Sequence, residues 1–186
     1  MSSLSNSLLL LLLLPLPLSS SNPLSSSNPT TLIESTCNST SYHDFCLAAI
    51  SSTNPETSPT ADIRDLSTIF LSLALSNATN SSTYAATLSN SAATDDCVRP
   101  LFRTCSLKYT AAGEALRWAL QELSKESYDY AFVHASAAAE YPIACRMLFA
   151  LQRKKPAASY PEELGRREEE LRRLCAVAVE IISLLG

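Results

Sequence analysis

Glycine is scarce in this sequence: Gly113, Gly165 and Gly186 are the only three among 186 residues. Two-residue hairpins and phosphate-cradling loops both depend on glycine at positive φ. The scarcity therefore argues against a β-rich fold, a P-loop and a dinucleotide fingerprint alike. No G-x-G-x-x-G, G-x-x-x-x-G-K or G-x-S-x-G pattern occurs. Histidine is limited to His43 and His134, and the six cysteines form no C-x-x-C pair, so a zinc site is not expected. Basic residues are outnumbered, 14 Lys and Arg against 18 Asp and Glu, and a net charge of −4 disfavours nucleic acid as a partner. The deficit lies in the first half: residues 31–100 hold seven acids and two bases, residues 101–186 eleven acids and twelve bases. The basic run Arg153-Lys154-Lys155 reads as a solvated loop.

What is present begins with leucine. Leu8 to Leu14 are seven consecutive leucines, extended by Leu16 and Leu18. That stretch has the length of a signal-peptide h-region and is too short to span a bilayer. No Lys or Arg precedes it, and Ser19-Ser20-Ser21 takes the place of an A-x-A cleavage pattern. Residues 1–24 are assigned to a signal peptide, 25–31 to a flexible Ser/Pro/Asn leader, and 32–186 to one folded domain. No later segment has the length and apolarity to cross a membrane, so the mature chain is expected off the membrane, in the apoplast or the vacuole. Cys37, Cys46, Cys97, Cys105, Cys145 and Cys175 suit an oxidising compartment, and six cysteines allow fifteen full pairings. The N-x-[ST] sequons at Asn38, Asn77 and Asn80 are candidate glycan acceptors.

The apolar pattern is helical. Leu32-Ile33, then Tyr42, Phe45, Cys46, Ala49 and Ile50, predict two short helices about the turn Asn38–Ser41. A bridge between Cys37 and Cys46 would close that hairpin. After the breaker Asn54-Pro55, Ser58 is expected to cap a helix with Pro59 in its first turn. Ile63, Leu66, Ile69/Phe70 and Leu73 form its stripe, which fades over Ser76–Ser82 and resumes weakly to Ser91. Thr94-Asp95-Asp96 is a second start signal. Leu101, Cys105, Tyr109, Ala112, Leu116, Ala119 and Leu123 then recur at intervals of three and four, interrupted at Ser124–Ser127. A third long helix carries Val133, Ala137, Ala138, Tyr141 and Cys145, with Pro142 expected to kink or break it. The last begins at Pro161-Glu162-Glu163 and buries Leu164, Leu171, Leu174, Ala178, Ile181 and Leu185, with Glu168–Glu170 and Arg172-Arg173 on its wet side. No segment alternates as a strand. The expected fold is all-α: an up-down four-helix bundle with an N-terminal disulfide-closed helical hairpin.

Ile33-Glu34-Ser35-Thr36-Cys37, Tyr42 and Phe45-Cys46 resemble the opening hairpin of the plant invertase and pectin methylesterase inhibitors. Cys105-Ser-Leu-Lys-Tyr109, Ala112, Leu116, Tyr128-Asp129-Tyr130-Ala131, His134 and Tyr141-Pro142-Ile143-Ala144-Cys145 resemble its second half. The likeness covers about residues 32–186. It implies the pairings Cys37–Cys46 and Cys105–Cys145. Cys175 matches a further cysteine in part of the family, and its spacing also suits a core-facing thiol. Cys97 departs from the family pattern; eight residues from Cys105, about 12 Å along a helix, it is out of reach for a bridge within one helix.

The resemblance also implies a function: binding and blocking an acid invertase (β-fructofuranosidase), with pectin methylesterase as the alternative target. Some invertase inhibitors carry Pro-Lys-Phe between the second and third bundle helices, where the lysine meets acidic groups of the enzyme. Here the place holds Tyr128-Asp129-Tyr130, an acid for a cation, so the lysine's role does not carry over. These three residues are read as a projecting connection and a candidate partner-binding surface. A catalytic role finds no support, because neither histidine has a recognisable partner arrangement and the carboxylates fall mainly on expected wet faces. No cofactor is expected. A small-ligand-binding bundle remains a third reading; a lipid-transfer domain is disfavoured by the absent adjacent Cys-Cys and Cys-x-Cys patterns.

Overall fold

The structure is a computed structural model, and it describes residues 29–53, 62–152 and 159–186. The leucine run, the cap at Ser58-Pro59 and the Arg153–Lys155 loop lie outside those residues. The described chain forms α1 (Pro29–Asn38), α2 (His43–Thr53), α3 (Ile63–Asn90), α4 (Arg99–Ser124), α5 (Tyr128–Leu151) and α6 (Glu162–Ile182). α1 thus takes in three residues of the expected leader.

α3 starts at a reciprocal cap. Asp62 Oδ1 accepts from the Asp65 amide at 2.9 Å, and Asp65 Oδ2 accepts from the Asp62 amide at 3.0 Å. The helix then runs unbroken through the polar stretch where the stripe fades. Tertiary contact rather than local preference sustains it. Thr79 and Thr83 return their hydroxyls to the carbonyl four residues back, which satisfies the side chains without strengthening the helix. The stretch also lies against the neighbouring helix: a Cβ on Gly113 of α4 would be in ordinary contact with Leu75 and Ala78, at 3.6 and 4.0 Å. Ser82 completes the contact by bonding the Ser106 carbonyl and meeting the Ser106 and Thr110 hydroxyls.

Thr94-Asp95-Asp96 does not start a helix. α4 begins at Arg99, with Val98 as an N-cap that offers no side-chain bond and a proline in the first turn. Arg99 claims the acid pair's corner instead. Its guanidinium donates to the carbonyls of Ser89, Ser91 and Thr94 and pairs with Asp96, binding the end of α3 to the start of α4. Cys97 is exposed in this corner, outside α4.

Pro142 does not break α5, which continues to Leu151. Ala138 and Phe149 are buried on either side of it, and Cys145 is bridged to Cys105 of α4 (Cα–Cα 4.9 Å), so tertiary packing holds both halves. α3 packs on α4 and α6, and α5 packs on the same two helices, closing a four-helix square. The expected stripes of α4 and α6 line its core, with Tyr109, Phe70, Leu116, Leu171 and Ile181 fully buried. Cys175 is buried too, and burial pushes its thiol up to about 12.

The hairpin is closed by Cys37–Cys46 (Cα–Cα 5.6 Å) and rests on the bundle. Glu180 of α6 accepts from the Ser41 amide at 2.9 Å and its hydroxyl at 2.5 Å. Tyr42 lies under the Arg173 guanidinium, while Tyr42 and Phe45 pack against the core.

Candidate binding surface at one end and one face of the bundle

The connection from α4 to α5 is short because α4 ends in a Schellman turn: the Ser127 amide donates to the Glu122 carbonyl at 3.0 Å and the Glu126 amide to Leu123 at 3.1 Å. Tyr128, Asp129 and Tyr130 follow at once as the first turn of α5. They are therefore helical rather than a projecting loop, because the turn is complete by Ser127. The three point differently. Tyr128 is half-buried against Gly186, with a distance of 3.5 Å from the tyrosine ring to the position a Gly186 Cβ would take. Asp129 is exposed and, with Tyr128, Phe132, Ile182, Ser183 and Gly186, lines a hollow of about 240 Å³. Tyr130 is 66% exposed.

Beyond Tyr130 the surface is more apolar than the sequence reading expected. Val133, assigned above to the core stripe, faces outward at 59% exposure. Of the eight large apolar side chains exposed among the described residues, seven lie on the adjacent helices α4 and α5: Leu107, Trp118, Tyr130, Phe132, Val133, Met147 and Leu151. Exposed apolar side chains gathered on two neighbouring helices make this part of the surface a candidate for binding. Trp118 of α4 is 53% exposed and stacks on His134 of α5, with ring centroids 6.4 Å apart, which joins the two helices at the surface. The signal was in the sequence, unread: between Asp129 and Arg146, α5 has Glu140 as its one acidic or basic residue apart from His134. A bundle helix that is apolar all round must show part of that apolarity to solvent.

A second cluster corrects the reading of Glu168–Glu170 as a wet face. Glu168 is only 4% exposed. Its carboxylate accepts a fork from Arg146 of α5, 3.1 Å from Nε and 3.0 Å from Nη2, and a 2.9 Å bond from the Tyr160 hydroxyl. Tyr109, buried beneath, donates to the Leu164 carbonyl at 3.4 Å, and its own burial raises the phenol to about 12. Tyr160 is pushed up further by burial, by Tyr109 and by Glu168. Every carboxylate oxygen here is occupied, and the arrangement acts as a polar lock between α5, α6 and the segment before α6. The depression beside it, about 590 Å³ with Phe45, Arg146, Arg166 and Arg173 on its walls, presents cations already paired with Glu168, Glu163 and Glu169.

Two of the sequons, Asn77 and Asn80 of α3, line a groove with Phe45 of α2 and Arg167 and Leu174 of α6. Asn38 at the end of α1 and Asn80 on α3 are exposed; Asn77 is half-buried, and its side-chain oxygen accepts from Ser81 at 3.3 Å. Among the described residues no group of three His, Cys, Asp or Glu could hold a metal ion, and no helix is long and apolar enough to cross a membrane.

Residues 31–181 match the profile of the family described as Plant invertase/pectin methylesterase inhibitor. The chain is 41% identical over 181 residues to "Cell wall / vacuolar inhibitor of fructosidase 2" of Arabidopsis thaliana, covering 97% of this chain and 98% of that relative. It is 42% identical over 161 residues to "Pectinesterase inhibitor 28" of Oryza sativa subsp. japonica, covering 83% and 69%. To "Pectinesterase inhibitor" of Actinidia deliciosa it is 31% identical over 184 residues, covering 99% and 94%. The fold matches two crystal structures of a pectin methylesterase inhibitor from Arabidopsis. The mutant form A gives a TM-score of 0.64 at 20% identity, covering 81% of this chain and 94% of that one; the other gives 0.59 at 18%, covering 85% and 98%. The spaced cysteines, the stapled hairpin and the four-helix square thus all meet in one assignment: the chain belongs to the plant invertase/pectin methylesterase inhibitor family.

Proposed function

We propose that the protein is a secreted, non-catalytic inhibitor that binds and blocks an acid invertase (β-fructofuranosidase). The observation carrying this reading is the end-to-end likeness to the inhibitor of fructosidase, which spans nearly all of both chains. The leucine run at Leu8–Leu14 and the two disulfides support passage through the secretory pathway, towards the cell wall or vacuole. The docking surface is the bundle end at Tyr130 together with the outward face of α4 and α5. It offers large apolar and aromatic area on rigid helices, the composition of interface hot spots. Tyr128, packed on Gly186, supports the tip rather than contributing its whole ring, and exposed Asp129 edges the contact. Glycans at Asn80, and at Asn77 if its bond to Ser81 yields, would sit in the groove between α2, α3 and α6.

The same surface serves a second reading, inhibition of pectin methylesterase. Asp129, standing where some invertase inhibitors carry lysine, favours it, as does the 42% identity to a pectinesterase inhibitor. Titration of the purified mature protein against each enzyme separates the two, and loss of neither activity overturns both. Tyr130→Ala and Trp118→Ala should each raise the inhibition constant by roughly 10- to 30-fold, about 1.4–2 kcal/mol, with helicity retained. Unchanged inhibition by both variants would move the docking surface elsewhere.

A further inference from the structure

Glu126 is the one non-glycine residue at positive φ among the described residues, with φ of 60°. It occupies the C′ position of the Schellman turn that ends α4. Glycine is the usual occupant there, because any side chain in the left-handed region meets its own backbone. A glutamate at this point is a strained choice, and a plain helix stop does not explain it.

Its side chain does have a partner. Glu126 Oε1 lies 3.1 Å from Nη2 of Arg64, in the first turn of α3 between the capping residues Asp62 and Asp65. The Nε of Arg64 is buried and has no hydrogen-bond partner among the described residues, so this ion pair accounts for the guanidinium's visible charge contact. Two residues past Glu126, Tyr128 packs on Gly186 beyond the end of α6. The turn is thus anchored twice, on α3 through Glu126 and on the end of the chain through Tyr128. Tyr130 projects immediately after the second anchor.

We propose that Glu126 and Arg64 are positioning residues for inhibition: their ion pair across the bundle end holds the α4–α5 turn, and with it Tyr130, in the geometry that docks on the target enzyme. This rests on the reading of the bundle end as the inhibitory surface. A preorganised turn binds without having to be ordered in the complex, and the left-handed strain at Glu126 is offset by the contact its side chain makes with Arg64.

The test separates positioning from helix capping. Glu126→Gly removes the strain and the ion pair together. As a cap it is the better residue, so the thermal midpoint should be held or raised. The Arg64 and Glu126 side chains are 41% and 61% exposed, so as a positioning change Glu126→Gly should raise the inhibition constant against acid invertase and pectin methylesterase, whichever the wild type inhibits, by roughly 3- to 5-fold, the upper range for an exposed ion pair. Arg64→Ala should weaken inhibition by a similar factor. Arg64→Glu/Glu126→Arg, which restores the pair with reversed charges, should return inhibition to within about twofold of wild type. Hydrogen exchange at residues 124–130 should quicken in both single variants and recover in the swap. Tyr130→Ala is measured alongside. If Tyr130→Ala weakens inhibition while Glu126→Gly inhibits like the wild type, positioning is overturned and the binding surface stands. If Tyr130→Ala has no effect, the surface and the positioning role fall together. Failure of the swap to restore what both singles lose would also overturn the ion pair as the cause.

Discussion

The two disulfides should differ sharply in what they hold, and the difference can be worked from the chain. Cys105–Cys145 spans 40 positions and joins α4 to α5 in the bundle; Cys37–Cys46 spans 9 and closes only the hairpin. In the chain-entropy treatment, removing the longer link restores about 13 cal/mol/K to the unfolded ensemble, or about 4 kcal/mol at 25 °C. The shorter one restores about 9 cal/mol/K, or about 2.6 kcal/mol. All four cysteines are fully buried, so alanine adds a void of similar cost, roughly 1 kcal/mol, at either bridge. Place in the fold is what widens the gap. The hairpin meets the bundle through Ser41–Glu180, Tyr42 and a few apolar side chains, so its loosening need not unfold the four long helices. In urea, with a slope of about 2 kcal/mol/M, Cys105→Ala/Cys145→Ala should lower the midpoint of the helical transition by about 2.5 M. Cys37→Ala/Cys46→Ala should leave most of that midpoint in place and speed amide exchange in residues 29–53. An equal or larger midpoint loss from the hairpin pair would refute the reasoning, since neither loop length nor place in the fold could then be governing the outcome.

Glu168→Leu should lower stability by about 2–3 kcal/mol in urea unfolding, because it leaves the Tyr160 hydroxyl and the Arg146 guanidinium without their acceptor. No change would mean the polar lock holds nothing. Alkali should unfold the protein early. Tyr109 is raised from 10.0 to about 12 and Cys175 from 9.0 to about 12, so folding favours their neutral forms. Their contribution is whole below pH 9 and drains as pH rises to 12, at about 1.4 kcal/mol per unit for each group. Cys175→Ala should delay the onset of that loss in a pH series of thermal midpoints; an identical profile would contradict it. Glu169 is held below its ordinary range by bonds from Arg172 and Arg173. That small contribution is present above the ordinary carboxylate range and lost as pH falls through the lowered value, and Glu169→Gln should flatten the acid limb slightly.

The sequence alone determined the helices whose inner faces are unambiguous. The α4 run from Cys105 to Leu123 and the α6 run from Leu164 to Ile181 each had one dominant apolar stripe, and that stripe is what the bundle buries, although Leu107 and Trp118 of α4 lie off it and exposed. The scarcity of glycine and the absence of alternating segments agreed with an all-helical answer, and the cysteine and tyrosine pattern pointed to the family and its pairings. Tertiary structure decided the rest wherever local preference and packing disagreed. Pro142 and the polar run Ser76–Ser82 read as interruptions, yet neighbouring helices hold both stretches helical. Val133 shares the apolar character of its buried neighbours, and only the placement of α4 and α6 around α5 tells which side of an all-apolar helix is left bare. Among three consecutive glutamates, Glu168 alone turns inward, because Arg146 and Tyr160, distant in sequence, converge where its side chain points. Tyr128 and Tyr130 look equivalent in the sequence, but the end of the chain covers one and leaves the other open. Composition and period set which segments form helices; which face of each meets solvent depends on neighbours that no local pattern encodes.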